Sequence, residues 1–446
     1  MSHAAPVIVV GGGWAGLAAA VELARCHIPV LLLESARQLG GRARSVQRDG
    51  HTLDNGQHLL LGAYEATLDL LRLLDVAEET VFLRRPLSLA LGRAGGREVQ
   101  LRSAALPAPL HLAWGLLRAR GLDLPARFAA LRFSHAMQRA GFSLAEDESV
   151  SALLIRHRQP RTLVEALWEP ICLAALNTHI EEASAQIFLR TLGESFRHAR
   201  RDSDLLLTRR PLGEILPAPA LDYIERHGGR VQLGQRVDSL LINGGRLTGV
   251  LTANGMQAAS HVILATPPTA TCGLLKTQPL LRAEAECVGR LEHRPICTVY
   301  LHYPPDTQLP GPLYGSLGTL GQWIFDRRLC AQPGLMAVVI SADGPHMALD
   351  NAELAAQVTA ELARLFPAWP APQAWQIIRE KRATMAASVG VNAHRPGYAT
   401  AVAGLWLAGD YTDTGLPATL EGAVRSGLAA ARAVRRRPPT TSGARA

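Results

Sequence analysis

The chain opens with a short polar lead and then four consecutive apolar residues, Val7–Val10, followed by Gly11, Gly13 and Gly16 in G-x-G-x-x-G spacing. An unbroken apolar run of that length suits a strand buried on both faces. Residues 15–25 have helical composition, and residues 30–33 form a second apolar run ending at Glu34. The pattern predicts a strand–helix–strand unit with glycines in its first turn.

Further along, residues 64–74 are amphipathic with Leu68, Leu71 and Leu74 on one helical face, and residues 86–102 read as short strands around Gly95-Gly96. Residues 107–141 mix Leu, Trp114 and Phe128 with arginines. Residues 150–200 are helical, with breaks expected at Pro160 and Pro170; residues 168–170 and 173–177 read as core or as pocket wall. A helix over 218–226 stops at Gly228-Gly229, which suits a C-cap. Strands over 231–233, 237–242 and 247–251 follow, the last two joined by the Asn243-Gly244-Gly245 turn. Residues 261–266 read as a buried parallel strand, 295–303, 313–340 and 375–385 as more strand, and 352–366 as a helix. Residues 405–408 form a last buried run that stops at Gly409-Asp410, and a helix begins at 421.

Composition narrows the function classes. The 446 residues are 48% hydrophobic and 19% charged, enough for two domains with large cores. The formal net charge is +8, carried by arginine; Lys276 and Lys381 are the only lysines. No nucleic-acid motif accompanies that charge, so nucleic acid is not expected as a partner, while an anionic membrane surface stays open. The six cysteines form no C-x-x-C pair, so neither a metal site nor a dithiol centre is expected; they suit reduced thiols of a cytoplasmic protein. With the first strand starting at Val7 no signal peptide is expected, and no apolar run reaches the ~20 residues that span a bilayer.

The chemistry concentrates at the two ends. Gly11 turns the chain out of the strand, Gly13 leaves the backbone bare for a pyrophosphate, and Gly16 lets the helix approach the strand. The helix start, with Trp14 and Ala15, presents free N–H groups and the positive dipole end. Glu34 lies eighteen residues after Gly16, where a carboxylate can accept ribose hydroxyls. The Leu39-Gly40-Gly41-Arg42 run that follows resembles the FAD-binding amine oxidase and carotenoid desaturase superfamily, which implies FAD as cofactor. Asp54, Asn55, Gln57 and His58 crowd around Gly56, either as a hydrogen-bonded loop or as a loop crossing a flavin ring.

The text LDNGQHLLLGAY at 53–64 narrows the resemblance to the hydroxysqualene dehydroxylases, also described as squalene-associated FAD-dependent desaturases. Residues 177–186, 203–207 and the C-terminal region share it, although Thr178-His179-Ile180 stands where prolines are expected. The resemblance implies an α/β protein with a discontinuous Rossmann-like FAD-binding domain (1–62, 222–280 and 400–435) and an α+β substrate domain (63–221 and 281–399). Residues 436–446 are expected to be a flexible basic tail. It further implies that Val237 meets adenine, that Gly409 and Asp410 lie on the pyrophosphate side, and that Leu420 and Glu421 open the helix facing the flavin.

The implied reaction is reductive removal of the allylic hydroxyl of hydroxysqualene, within squalene and hopanoid biosynthesis. His58, Asp54 and Tyr64 are the catalytic candidates, with Glu169 as a further acid; the electron donor that recharges the flavin is external and not named by the sequence. Alternatives are an oxidative isoprenoid desaturase or amine oxidase on the same fold, and a flavoprotein serving as electron-transfer partner or membrane scaffold. Many amine oxidases of the superfamily place a lysine at the flavin; here His293 and Arg294 stand near that place. For residues 107–141 two readings remain, ordinary domain helices or a patch resting on lipid at the inner face of the cytoplasmic membrane.

Overall fold

Four of the short apolar runs and one exposed edge strand, Arg230–Leu233, form one parallel sheet. Its order is Arg230–Leu233, Val30–Glu34, Val7–Val10, Val262–Leu264, Leu405–Leu407. Ile8 pairs with Leu31 on one side and Val262 on the other, and Val262 pairs in turn with Leu405. Both faces of the four inner and far-edge strands are covered, which is why those four are continuously apolar rather than alternating, whereas Arg230–Leu233 is largely exposed. Val7 and Val9 join one core, Ile8 and Val10 another. The computed structural model describes residues 5–196 and 198–436.

The helices Trp14–Arg25 and Leu420–Arg436 cover the Val7/Val9 face side by side. They approach so closely that a Cβ on Gly427 would lie 2.0 Å from the Ala15 carbonyl oxygen. The helix Pro217–Arg226 packs on the other flank of the first helix. An antiparallel three-stranded sheet, Val237–Asn243, Arg246–Thr252 and Gly255–Ala258, stands beside this layer; its third strand had no signal strong enough to predict.

The remainder is built on a seven-stranded sheet ordered Ala374–Met385, His293–His302, Leu335–Ser341, Trp323–Asp326, Leu313–Ser316, Ser88–Gly92, Val99–Arg102. All pairs are antiparallel except the one between Leu313–Ser316 and Ser88–Gly92. The helix Asn351–Leu365, started by an Asp350–Glu353 capping box, covers one face. The other face looks across a cavity to the helices Leu110–Leu117, Leu124–Arg139, Glu169–Leu176 and Ala185–Phe196.

Two expectations change. Pro170 does not break its helix: residues 161–176 run on through a π segment at Val164–Trp168. Proline has no N–H for the carbonyl one turn back, and the widened turn before it absorbs the mismatch. The last helix continues through Arg436, one residue into the expected tail; residues 437–446 lie outside the described residues. No helix among the described residues is long and apolar enough to cross a membrane.

Candidate functional site

A single cavity of about 1370 Å³ starts at the first glycine turn and ends among the helices of the second layer. That exceeds the roughly 300–1,000 Å³ of one small-molecule site, so it has room for two ligands in line. Its two halves differ in chemistry.

The polar half is built from chain ends that meet across the parallel sheet. Gly11, at φ +106°, turns the chain out of its strand, and a Cβ there would strike the Ala265 carbonyl oxygen at 2.6 Å. Gly16 does not line the cavity; a Cβ on it would sit 1.9 Å from the Gly11 carbonyl oxygen, so its role is the helix–strand contact. Gly13 differs from both: a Cβ there meets nothing nearer than Gly41 Cα at 3.9 Å. The empty space above Gly13, at the N-terminus of the Trp14–Arg25 helix, is a cradle with the shape and polarity for a pyrophosphate. Trp14 and Ala15 line it, and the buried Trp14 Nε1 has no hydrogen-bond partner among the described residues.

Glu34 lines the same cleft. Its Oε2 accepts from the Gly12 N–H at 2.6 Å and its Oε1 from the Ala36 N–H at 2.7 Å, which fixes the carboxylate at the end of its strand. Arg42 donates to Asp410 Oδ1 at 2.6 Å and to the Ala383 carbonyl at 2.7 Å, tying the second glycine turn to the last strand. Burial alone would depress the Arg42 guanidinium, but Asp410 outweighs it and the net shift is upward. Gly41, Gly56, Gln57, Val237, Gly409 and Leu420 all line the cavity.

His58 and Tyr64 line the cavity as well. Burial, reinforced by Arg42 and opposed by Asp54, lowers His58 to about 4, so it is a neutral imidazole at neutral pH. Burial and Glu421 push the Tyr64 phenol far above its ordinary value. The apolar walls are Leu89, Leu101, Leu116, Phe133, Met137 and their neighbours, and among the described residues neither a carboxylate nor a lysine lines this half. Lys276 and Lys381 are both exposed, and Arg294 is paired with Glu182 at 2.6 Å.

Three expected site residues are placed elsewhere. Asp54 is 1% exposed and stands behind the cavity wall. Its Oδ1 accepts from Ser45 Oγ and the Leu212 N–H, its Oδ2 from Arg327, so no oxygen is left for a substrate. Glu421 faces away from the cavity; it accepts from the N–H groups of Ala66 and Thr67, from Thr67 Oγ1 and from Arg425. Glu169 does not line the cavity either.

Sequence reasoning missed the groups that hold the loop at 54–58. Arg327, 2% exposed, donates to Asp54 Oδ2 at 2.8 Å and to Gln57 Oε1 at 2.9 Å. Tyr300 Oη donates to the Asp54 carbonyl and accepts from Gln57 Nε2. Asn55 donates to the Arg42 carbonyl and to Glu380 Oε2. At the other end, buried Arg395 donates to the carbonyls of Asp410, Tyr411 and Leu416 and so fixes the loop after Gly409. A lone arginine inside or after a strand carries no local signal of such a role.

Residues 14–435 match the family described as flavin containing amine oxidoreductase. The chain is 32% identical over 436 residues to the hydroxysqualene dehydroxylase of Rhodopseudomonas palustris, covering 95% of this chain and 97% of that one. It is 29% identical to the hydroxysqualene dehydroxylase of Sinorhizobium fredii, again over 95% and 97%. Among solved structures, an oxidoreductase from Methanosarcina mazei superposes with a TM-score of 0.75 at 16% identity, over 95% of this chain and 99% of that one.

Proposed function

The chain belongs to the flavin containing amine oxidoreductase family, and on that premise we propose that it is a FAD-dependent hydroxysqualene dehydroxylase. The observation that carries the reading is the two-part cavity, a dinucleotide cradle continuous with a long apolar chamber. The kinship with named hydroxysqualene dehydroxylases supports the substrate. Among the described residues no carboxylate lines the apolar half to pair with a cationic amine, which favours an uncharged substrate.

FAD fits the polar half by the chemistry of its donors. The N–H groups at Gly13, Trp14 and Ala15 would take the pyrophosphate, Glu34 the adenosine ribose and Val237 the adenine. The start of the last helix, at Leu420 and Ala423, would face the ring. Bound there, FAD supplies hydride chemistry. Replacing the hydroxyl by hydrogen consumes one hydride equivalent and one proton and releases water.

The protein's own contribution is solvent exclusion and orientation. The leucine and phenylalanine walls keep water from the allylic carbon. Tyr64 Oη and the neutral His58 ring can donate a hydrogen bond to the leaving oxygen without carrying charge into an apolar chamber.

The test is an anaerobic single turnover. Holoenzyme is reduced chemically, mixed with hydroxysqualene in detergent and extracted. Squalene in proportion to enzyme is the expected result. An unchanged substrate, or a dehydrogenated product formed only with oxidised enzyme, would overturn the reading, the second in favour of a desaturase.

A further inference from the structure

We propose that the helices Leu110–Leu117 and Leu124–Arg139 form a docking face for an anionic lipid bilayer and that the apolar chamber opens to the bilayer between them. The inference rests on the apolar-substrate reading above and adds the route by which such a substrate arrives.

The first observation is where the exposed apolar side chains lie. Leu110, Trp114, Leu124 and Phe128 are 57%, 48%, 59% and 57% exposed, and Leu106 just ahead of them is 38% exposed. Each helix contributes a pair four residues apart, so each pair shares one helical face. Single exposed apolar residues are ordinary, whereas four large ones on two packed helices make a patch.

The second observation is the position of the patch. The inner faces of the same helices, through Leu112, Leu116, Phe133 and Met137, line the apolar half of the cavity. Leu110 and His135 line it while being exposed themselves, so the chamber reaches the surface here. A hydrophobic ligand leaving a bilayer at this mouth passes from acyl chains to leucine walls without crossing water.

The third observation is charge. Arg118, Arg120, Arg132 and Arg139 are exposed, and none is in an ion pair among the described residues. Arg118 lies over the Trp114 ring, 5.6 Å from its centroid. The single acid between residues 103 and 141 is Asp123, whose Oδ1 caps the second helix through the Ala126 N–H. Apolar side chains flanked by unpaired arginines complement acyl chains below anionic headgroups.

The test uses the flavin-loaded full chain and vesicles of phosphatidylcholine with or without phosphatidylglycerol. Wild type should co-sediment with the anionic vesicles at low salt, several-fold less at high salt and weakly with neutral ones. The double variant Trp114→Asp/Phe128→Asp should bind at least ~10-fold more weakly. Neither residue lines the cavity, so the variant should retain flavin and match wild type on detergent-solubilised hydroxysqualene while losing turnover of vesicle-borne substrate. The charge variant Arg118→Glu/Arg132→Glu should lose the salt-sensitive part of binding. Wild type that stays in the supernatant with anionic vesicles at low salt overturns the proposal, as does a wild-type dimer that the double variant dissociates without any pelleting. Failure on detergent-solubilised substrate with intact vesicle binding counts against the reaction instead, so the two readings fail separately.

Discussion

Gly13 and Gly16 stand three positions apart on the same turn and do different work. Gly13 has φ −75° and ψ 177°, backbone that any residue adopts, and a Cβ there would meet only open cavity. Gly16 has no such freedom, because its Cβ would overlap the Gly11 carbonyl oxygen. Gly13→Val should therefore fold, keep its apo melting temperature within a few degrees and lose flavin occupancy by roughly 10-fold or more, since the branched side chain fills the phosphate cradle. Gly16→Val should fail to accumulate as folded protein, because backbone must move to admit it. Circular dichroism and flavin absorbance on purified Gly13→Val, with soluble yield as the readout for Gly16→Val, decide; normal occupancy in a folded Gly13→Val removes the cradle, and a normal soluble yield of Gly16→Val removes the packing role. The spacing of the glycines was legible in the sequence, and the separate jobs follow from ordinary sterics. The Asp54–Arg327 ion pair was not legible: its members are 273 positions apart, and an aspartate in a polar loop reads as a catalytic candidate until the partner filling its carboxylate is seen.

At the level of elements, Glu421 makes the sharpest contrast between expectation and structure. An acid at the first turn of a helix that faces a ligand reads naturally as a ligand contact. Here it accepts from the first-turn N–H groups of the Glu65–Leu73 helix and pairs with Arg425, fastening the last helix to an early one. Removing it would leave the Thr67 N–H and hydroxyl without an acceptor in a buried place. Glu421→Ala should thus cost about 2–4 kcal/mol of stability in urea unfolding while the apo-to-holo flavin affinity changes little. A variant as stable as wild type but unable to hold flavin would return Glu421 to the cofactor. Elements with long, strong periodicity, such as the helices at 65–73 and 351–365, were readable because burial of one face leaves its mark on the sequence. The strand at Gly255–Ala258 was not, since it is short, largely exposed and stabilised by pairing with Arg246–Thr252 rather than by a buried face.

For the whole molecule, the order of the strands is what the sequence withheld. Apolar runs at 7–10, 262–264 and 405–407 are each plausible buried strands, but nothing local says that they lie side by side, because parallel neighbours are chosen by crossovers and shared cores. The cavity inherits that distribution: its polar half is lined by Gly13 and Glu34 from the start of the chain, Val237 and Ala265 from the middle, and Asp410 and Leu420 from the end. A dinucleotide bound there touches all three segments at once and can bind only when all three are assembled. Binding to the folded state alone stabilises by about 2.7 kcal/mol at a hundredfold excess of ligand over Kd. With an unfolding entropy of about 2.1 cal/mol/K per residue over 446 residues, that corresponds to a rise of roughly 3 °C in Tm. Flavin stripped by mild denaturant and added back as FAD should restore this increment, and it should grow with the logarithm of FAD concentration. NAD at the same concentrations should raise the melting curve less, because its single nicotinamide ring is smaller than a three-ring flavin and fills less of the cleft between the Arg42–Asp410 tie and the loop at 55–58. A melting temperature indifferent to FAD, or raised equally by NAD, would show that the three segments are held together by their own packing and that the cradle serves another ligand.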